Sequence, residues 1–218
     1  MSNFFAMLSR MKYIERWALM RNTRRENLSE HSLDVSVIAH LLATLCNSRF
    51  GGTVNAERAA VLGLFHDTSE ILTGDMPTPV KYFNPDIKRA YHEVEDVARR
   101  RLLSMLPEDL HGGYAELLLP ADADAALWIF VKAADKISAL IKCIEERRMG
   151  NTEFLEAERT LLETIQRMNR PEVDCFLTEF LPAFSLTLDQ LESGHTPREN
   201  GEENETCESV TQAKGRFE

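Results

Sequence analysis

Potentially reactive side chains occur together at His66 and Asp67, which directly follow seven uncharged residues at positions 59–65. We expect those residues to lie on a buried helix, where a charged aspartate is costly unless it is paired or bound to a metal. A buried hydrogen bond between the two side chains, tying two helices together, is the commoner meaning of such a doublet. The doublet by itself leaves both a structural pair and a metal site open.

His31 is a second histidine in an apolar setting. At about 100° per residue, four apolar side chains lie within about 40° of His31 around the same helix, whereas His40 lies on the opposite side. A lone histidine on an apolar face is usually a satisfied core residue. Two buried histidines and an adjacent carboxylate on consecutive helices, however, resemble a nitrogen and oxygen ligand set for a metal. The four apolar residues are Val35, Ile38, Leu42 and Leu45.

Asp135 is the candidate for a fourth ligand. It lies at the edge of the apolar arc of its helix, about 40° from Val131. Periodicity does not separate it from Asp122 or Asp124. On the residues alone, an exposed carboxylate paired with a neighbouring lysine is the better interpretation of Asp135.

Glu70 and the dipeptide Arg16-Trp17 could act on a substrate. Glu70 follows Asp67 by three residues, so a helix would bring its carboxylate to the same face, where it could deprotonate water or protonate a leaving oxygen. A solvent-facing glutamate fits the spacing equally well. Arg16-Trp17 joins a fixed cation to a flat aromatic face, which suits a phosphate and a base or sugar, although a buried tryptophan beside a surface arginine is commoner.

The pattern of the chain predicts an all-α fold with no convincing strand. Asn27 and Glu30 indicate a helix start, since a polar cap and a glutamate three positions later form a capping box. Gly74–Pro79 is expected to form a stiff loop because its two prolines restrict the backbone. Gly150-Asn151 is expected to end one helix and begin another. The predicted helices span about 28–47, from 56 to 66 or 67 with a further turn at 69–72, and about 85–105, 123–149, 152–168 and 171–181.

Length and composition favour one globular domain followed by a tail. The 218 residues are 44% hydrophobic and 28% charged, close to the average for a globular protein. The formal net charge of -10 argues against binding long nucleic acid, which needs an extended basic surface. We assign 1–192 to the domain and 193–218 to a tail of net charge -3 that is expected to be disordered, since it contains few apolar residues.

The chain also indicates a cytoplasmic protein with no membrane association. No apolar run approaches the roughly 18 residues that a membrane-spanning helix needs, and the first residues lack the features of a secretory signal. The four cysteines are far apart and form no Cys-x-x-Cys pair. They fit reduced thiols in the cytosol better than a disulfide framework or a thiolate zinc site.

Taken together, His31, His66-Asp67 and Asp135 form the pattern His…His-Asp…Asp, which resembles the HD-domain superfamily of metal-dependent phosphohydrolases. Further motifs resemble the YfbR-like bacterial 5'-deoxynucleotidases, and the likeness covers about residues 3–192. The motifs are Arg16-Trp17, Met20-Arg21-Asn22, Glu26-Asn27, Ser29-Glu30-His31-Ser32, His66-Asp67-Thr68-Ser69-Glu70, and the run from Leu72 through Gly74-Asp75-Met76-Pro77-Thr78-Pro79 to Phe83.

The resemblance implies an HD-domain helical bundle with a metal site between core helices, and a role for each matching residue. One divalent metal, with cobalt, manganese or copper supporting activity, would be held by His31, His66, Asp67 and Asp135. Glu70 would be catalytic, and Arg16 would orient the phosphate beside Trp17. The implied substrate contacts are Arg16, Trp17, His31, Asp67, Asp135 and the loop Asp75-Met76-Pro77-Thr78.

The implied activity is hydrolysis of deoxyribonucleoside 5'-monophosphates to the deoxynucleoside and phosphate, by a homodimer. Two other classes remain open from the sequence. One is another HD phosphohydrolase that acts on nucleoside triphosphates or other nucleotides, although the chain lacks the Gly-Tyr-Pro motif of cyclic-dinucleotide enzymes. The other is a metal-binding partner protein without catalysis, which the presence of Glu70 and Arg16 disfavours.

Overall fold

The computed structural model of the chain describes residues 1–81, 83–119 and 121–193, with the side chains of residues 78 and 79 outside that description. Within these residues the chain is helical and forms no strand, as predicted, and a single antiparallel bridge joins Glu15 to Asn27. The α-helices are α1 (Phe4–Leu8), α2 (Leu28–Arg49), α3 (Ala56–Phe65), α4 (Glu70–Thr73), α5 (Thr78–Lys81), α6 (Pro85–Leu103), α7 (His111–Leu118), α8 (Trp128–Arg148), α9 (Leu155–Gln166), α10 (Pro171–Cys175) and α11 (Leu188–Ser193).

Helices α2, α3 and α8 form the centre of the bundle. Their apolar faces meet in one core cluster, which includes Leu42 of α2, Leu62 of α3 and Leu140 of α8. Gly63 allows α2 and α3 to approach closely, because a Cβ atom at this position would lie 3.0 Å from the Cα atom of Ser36. This close packing holds the start of α2 beside the end of α3.

The start of α2 is fixed by the capping box that the sequence predicts. The side chain of Asn27 accepts hydrogen bonds from the backbone of Ser29 and Glu30, at 3.0 and 3.1 Å. The side chain of Glu30 in turn accepts from the backbone of Asn27 at 3.2 Å. His31 therefore lies one turn into a well-defined helix, fully buried, whereas His40 is exposed on the other side.

The predicted loop 74–79 is wrong at its end, because α5 already begins at Thr78. The backbone N–H groups of Val80 and Lys81 bond the carbonyl oxygen of Pro77 at 2.9 and 3.0 Å. A proline within the first turn of a helix costs little, since its missing N–H would have had no partner there. Pro79 therefore sits in α5 rather than ending the loop.

The sequence also overestimated several helix ends and missed four helices. The segment 171–181 is α-helical only to Cys175 and continues as a wider π turn over Phe176–Phe180, and the 3-10 segment Asp122–Asp124 precedes α8. Gly150 has a φ of +81° and Asn151 caps the next turn, as predicted. Helices α1, α5, α7 and α11 were not predicted.

The predicted tail, 193–218, lies outside the described residues except for Ser193, which is the last residue of α11. In the part of the chain that the structure describes, none of the helices combines the length and apolar character needed to cross a membrane.

Candidate metal and phosphate site

Four side chains from three parts of the chain converge beside the central helices. His31 is the fourth residue of α2, His66 and Asp67 directly follow α3, and Asp135 lies on α8. One ligand atom from each residue lies within 4.8 Å of the others. The Nε2 atom of His31 is 3.3 Å from Oδ1 of Asp135 and 3.7 Å from Oδ2 of Asp67. The structure thus brings together all four residues of the pattern.

The structure also separates Asp135 from the two aspartates that periodicity left open. Asp124 is buried and accepts hydrogen bonds from Arg58, with the shortest at 2.6 Å. Asp122 is exposed in the segment that precedes α8. Neither of them is in the cluster of ligand atoms, which therefore contains Asp135 alone among the three.

The hydrogen bonds of the two histidine rings indicate whether the cluster suits a metal. The Nε2 atoms of His31 and His66 are buried and form no hydrogen bond of standard geometry within the described residues, although they face carboxylates of the cluster, Asp135 at 3.3 Å and Asp67 at 2.8 Å respectively. On the other side of each ring the protein supplies a partner, since His66 Nδ1 donates to the carbonyl oxygen of Gly63 at 2.7 Å and His31 Nδ1 lies 3.2 Å from Ser138 Oγ. Outer contacts of this kind fix the tautomer that leaves Nε2 free to ligate a metal. The residues present therefore fit a divalent cation.

Both aspartates of the cluster are held ionised. Burial raises the pKa of Asp67, but the close imidazole of His66, whose Nε2 atom lies 2.8 Å from Oδ2, outweighs burial and lowers that pKa to about 2. Burial likewise raises the pKa of Asp135, and the close imidazole of His31 outweighs burial and brings that pKa well below the ordinary range. Two carboxylates and two imidazoles form a donor set that suits a borderline transition metal.

Arg16 places a cation at the edge of this cluster. Its Nη1 atom lies 3.7 Å from Oδ2 of Asp67, and its Nε atom lies 3.8 Å from Oε1 of Glu26. Burial lowers the pKa of Arg16, but the neighbouring carboxylates of Asp135 and Asp67 raise it by more than burial lowers it. The pKa is therefore raised overall, and the guanidinium stays charged. The Nε atom is buried and forms no hydrogen bond within the described residues. A buried guanidinium whose donors are not all engaged in hydrogen bonds is suited to an anion such as phosphate.

Trp17 lies beside Arg16 in an uncommon backbone conformation. Its φ angle is +58°, in a region that bulky residues rarely occupy. The indole Nε1 donates to Oε2 of Glu26 at 3.0 Å, and the ring packs against Phe154 with centroids 5.3 Å apart. Such strain persists only where the surroundings over-determine it, and it is concentrated at functional sites.

Glu70 is the first residue of α4 and is only 6% exposed. Its backbone N–H donates to the carbonyl oxygen of Asp67 at 2.9 Å, so a tight turn connects the two residues. Burial, followed by the negative charges of Asp67 and Asp75, raises the pKa of Glu70 to about 9. Its Oε2 atom is buried and has no hydrogen-bond partner among the residues that the structure describes. The solvent-facing alternative for Glu70 is therefore wrong.

The predicted substrate loop continues directly from α4. Asp75, Met76 and Pro77 are each partly buried. Asp75 is close enough to act electrostatically on Glu70 and Arg16. The side chain of Thr78 is outside the described residues. The structure therefore brings Asp75 to the site.

Comparison with protein families places the chain. The family model described as "5'-deoxynucleotidase YfbR-like" matches residues 3–184. The chain belongs to this family. A 5'-deoxynucleotidase of Vibrio atlanticus is 50% identical over 190 residues, covering 87% of this chain and 98% of the relative. A 5'-deoxynucleotidase of Erwinia tasmaniensis is 48% identical, with 87% and 96% covered.

Solved structures show the same fold at lower identity. An HD-domain phosphohydrolase of Listeria innocua superposes with a TM-score of 0.74 at 24% identity, and 98% of each chain is covered. An HD phosphohydrolase of cyanophage S-2L, bound to dA and one catalytic Zn²⁺ ion, has a TM-score of 0.55 at 19% identity, with 77% of this chain and 90% of that chain covered. The fold is thus the HD-domain helical bundle that the sequence predicted.

Sequence reasoning assigned no role to three residues that support the YfbR-like site. Glu26 contacts Arg16, Trp17 and His31, and Ser138 lies against the His31 ring. Gly63 supplies the carbonyl oxygen that orients His66. In the sequence, Glu26 was noted only as part of a motif that matches the family. Its position next to the helix cap Asn27 was the feature that could have indicated a structural role for it.

Proposed function

We propose that this protein is a metal-dependent 5'-deoxynucleotidase, a phosphoric monoester hydrolase that converts deoxyribonucleoside 5'-monophosphates to the deoxynucleoside and phosphate. The observation that carries the proposal is a buried, charged Arg16 whose Nε atom forms no hydrogen bond within the described residues, directly beside the cluster of two histidines and two aspartates. A cation site next to a buried guanidinium suits a terminal phosphate. Membership of the YfbR-like family and the names of its relatives support the same activity.

We assign the metal to His31, His66, Asp67 and Asp135, with cobalt, manganese or copper as the candidate ions. A divalent cation at such a site polarises the phosphate and makes water a better nucleophile near neutral pH. The two imidazoles are oriented for this role by their outer contacts to Ser138 and Gly63. His31, Asp67 and Asp135 would also border the bound phosphate.

The remaining groups handle the phosphate and the proton. Arg16 would bind phosphate oxygens through parallel hydrogen bonds, and Trp17 would line the nucleoside side of the site. Hydrolysis adds water to phosphorus and breaks the bond to the 5'-oxygen, which leaves as an alkoxide unless it receives a proton. Glu70 is a buried carboxyl group with a raised pKa close to Asp67 of the cluster, and it would supply that proton.

The loop Asp75-Met76-Pro77-Thr78 is proposed to recognise the sugar. Its partly buried position beside Glu70 supports this role. Selectivity for deoxyribose would come from a lack of room or of hydrogen-bond partners for a 2'-hydroxyl. In Asp75→Ala we expect the ratio of kcat/KM between dAMP and AMP to fall, and unchanged rates on both substrates would remove this role.

A substrate panel tests the activity itself. Phosphate release is measured from dAMP, AMP and dATP with manganese or cobalt present, and dAMP is expected to be the best substrate. Inorganic triphosphate or pyrophosphate from dATP without any reaction of dAMP would assign the protein to the other HD phosphohydrolases. Metal binding without hydrolysis of any of the three, with phosphate, pyrophosphate and triphosphate all absent from the products, would assign it a non-catalytic role.

Three variants test the individual assignments. His66→Ala is expected to lose both metal binding and turnover while it keeps its helical circular dichroism signal. Glu70→Gln is expected to bind metal normally but lose about 10²- to 10⁴-fold in kcat, the usual contribution of a general acid. Arg16→Ala is expected to raise KM for dAMP without a change in metal affinity. Full activity in Glu70→Gln, or an unchanged kcat/KM in Arg16→Ala, would contradict the respective role.

We further propose a cytoplasmic homodimer. Cys46 and Cys143 form no disulfide within the described residues, which fits a reducing compartment. Leu33 and Val37 are exposed one turn apart on α2 and could contribute to a subunit contact. Light scattering coupled to size-exclusion chromatography measures the mass, and a monomer at micromolar concentration would contradict the dimer. Cell fractionation tests the location.

A further inference from the structure

Glu26 joins three side chains of the site through one carboxylate. Its Oε2 atom accepts the indole hydrogen of Trp17 at 3.0 Å. Its Oε1 atom lies 3.5 Å from Nδ1 of His31 and 3.8 Å from Nε of Arg16. The Glu26 side chain is only 12% exposed. A buried carboxylate thus contacts the phosphate-binding arginine, its neighbouring tryptophan and a residue of the metal cluster at the same time.

The backbone sets Glu26 opposite Arg16. The N–H group of Arg16 donates to the carbonyl oxygen of Glu26 at 3.0 Å, and the N–H group of Leu28 donates to the carbonyl oxygen of Ile14 at 2.9 Å. The bridge between Glu15 and Asn27 lies between these bonds. These main-chain bonds align the two segments. The alignment places the Glu26 carboxylate beside the guanidinium of Arg16 and the indole of Trp17.

Trp17 shows what this alignment has to hold. Its φ of +58° costs energy, since a bulky side chain disfavours this region. The carbonyl oxygen of Trp17 accepts bonds from the backbone of Met20 at 2.9 Å and from Asn22 Nδ2 at 3.2 Å. These bonds hold the main chain of the turn. Within the part of the chain that the structure describes, the bond to Glu26 is the one that reaches the polar end of the indole ring.

We propose that Glu26 is a positioning residue that orients the Arg16 guanidinium, the Trp17 indole and the His31 imidazole together. The proposal rests on the function proposed above, in which Arg16 binds phosphate and His31 binds metal. Glu26 itself would touch neither substrate nor metal. Its loss would therefore affect metal affinity and substrate affinity jointly, although these depend on different groups.

The test compares Glu26→Ala and Glu26→Gln with Glu15→Gln as a matched control. Glu15 lies on the paired segment, is about half exposed and contacts Arg25 rather than a site residue. All variants carry Trp128→Phe, so that Trp17 is the only tryptophan and its emission reports the environment of the indole. The affinity of the metal-free protein for Mn²⁺ is measured by calorimetry, and kcat and KM are measured with dAMP.

In Glu26→Ala we expect about 10- to 100-fold weaker Mn²⁺ binding, the usual effect of losing an outer partner of a ligating histidine. We also expect a higher KM for dAMP and a shifted Trp17 emission. Glu26→Gln keeps an acceptor for the indole but not the charge, so the emission should return towards that of the parent while Mn²⁺ binding stays weaker. Glu15→Gln should match the parent in every measurement.

Parent-like Mn²⁺ affinity, KM and emission in Glu26→Ala would overturn the proposal. If Glu26→Ala does not fold, the isosteric Glu26→Gln decides, and parent-like Mn²⁺ affinity and KM in that variant would overturn it. If the parent protein binds Mn²⁺ but does not hydrolyse dAMP, the proposed function fails. The Mn²⁺ affinity and the Trp17 emission then still decide whether Glu26 positions His31 and Trp17.

Discussion

Glu146 offers the sharpest stability prediction, because one buried carboxylate on α8 anchors the segment that follows Arg16-Trp17. Glu146 is 2% exposed. It accepts hydrogen bonds from the backbone of Thr23 at 2.8 Å and Arg24 at 3.2 Å, and from Asn151 Nδ2 at 2.8 Å. It also forms a buried ion pair with Lys142. We predict that Glu146→Ala lowers the free energy of unfolding more than any change at an exposed carboxylate.

The magnitude follows from what the substitution leaves behind. Removing one partner of a buried ion pair typically costs about 3–5 kcal/mol, since the other charge stays buried without compensation. Among the described residues, Lys142 would keep its bond to the carbonyl oxygen of Arg24 and its position over the Phe154 ring but would have no anionic partner to replace Glu146. Removing both charges avoids this cost. The effects of Glu146→Ala and Lys142→Met should therefore be non-additive, with the double variant more stable than the sum predicts by about 0.5–3 kcal/mol.

Urea unfolding followed by circular dichroism measures this effect. With a slope of about 3 kcal/mol per molar urea, a loss of about 3–5 kcal/mol lowers the midpoint by about 1–2 M. The exposed neighbour Glu145 provides the control, because Glu145→Ala should change stability by about 0.5 kcal/mol or less. KM for dAMP should rise in Glu146→Ala as residues 21–24 lose their anchor. A midpoint equal to that of Glu145→Ala, or strict additivity in the double variant, would refute the reasoning.

Three further predictions concern pH, helix packing and the metal. Burial raises the pKa of Glu146, but its hydrogen bonds from Lys142, Asn151 and Thr23 outweigh burial and hold that pKa below its ordinary value of 4.5. The stability advantage of the parent over Glu146→Gln should therefore be full above about pH 4.5 and decrease as the pH falls below that value. Urea unfolding across pH 3 to 7 measures this difference in stability. An advantage that grows on acidification would contradict the prediction. Gly63→Ala would bring a Cβ atom within 3.0 Å of the α2 backbone, so we expect a loss of about 1–3 kcal/mol and a lower Tm, and an unchanged Tm would show that the helices separate freely. Added Mn²⁺ should raise Tm by an amount equivalent to about 2.7 kcal/mol at a concentration 100-fold above Kd, and excess EDTA should reverse the rise. A Tm that changes with neither addition would show that the folded protein does not bind the ion.

The central helices could be predicted in detail because their signals are local. The capping residues Asn27 and Glu30 and the apolar repeat after His31 belong to one continuous stretch of chain. The buried position of His31 and the exposed position of His40 follow directly from the helical repeat. The end of α3 before His66 was likewise predicted to within two residues.

The choice of Asp135 could not be made from local spacing. Asp124 and Asp135 fit their surroundings equally well in the sequence, and the difference between them lies in distant partners. Arg58 of α3 reaches Asp124, whereas His31 of α2 reaches Asp135. The family resemblance selected Asp135 by matching the whole pattern of four residues rather than the spacing of any pair.

The sequence by itself determined the helical class, the cap and buried face of α2, and the set of residues that resembles an HD phosphohydrolase. These depend on periodicity and on residue types that recur within a few turns. Only the tertiary structure decided which groups meet across the bundle. The junction of Glu26 with Arg16, Trp17 and His31, and the anchor at Glu146, join residues far apart in the chain or in an irregular segment. No local repeat encodes such contacts, because they arise when helices pack and the backbone of the connecting turn is held in a strained conformation.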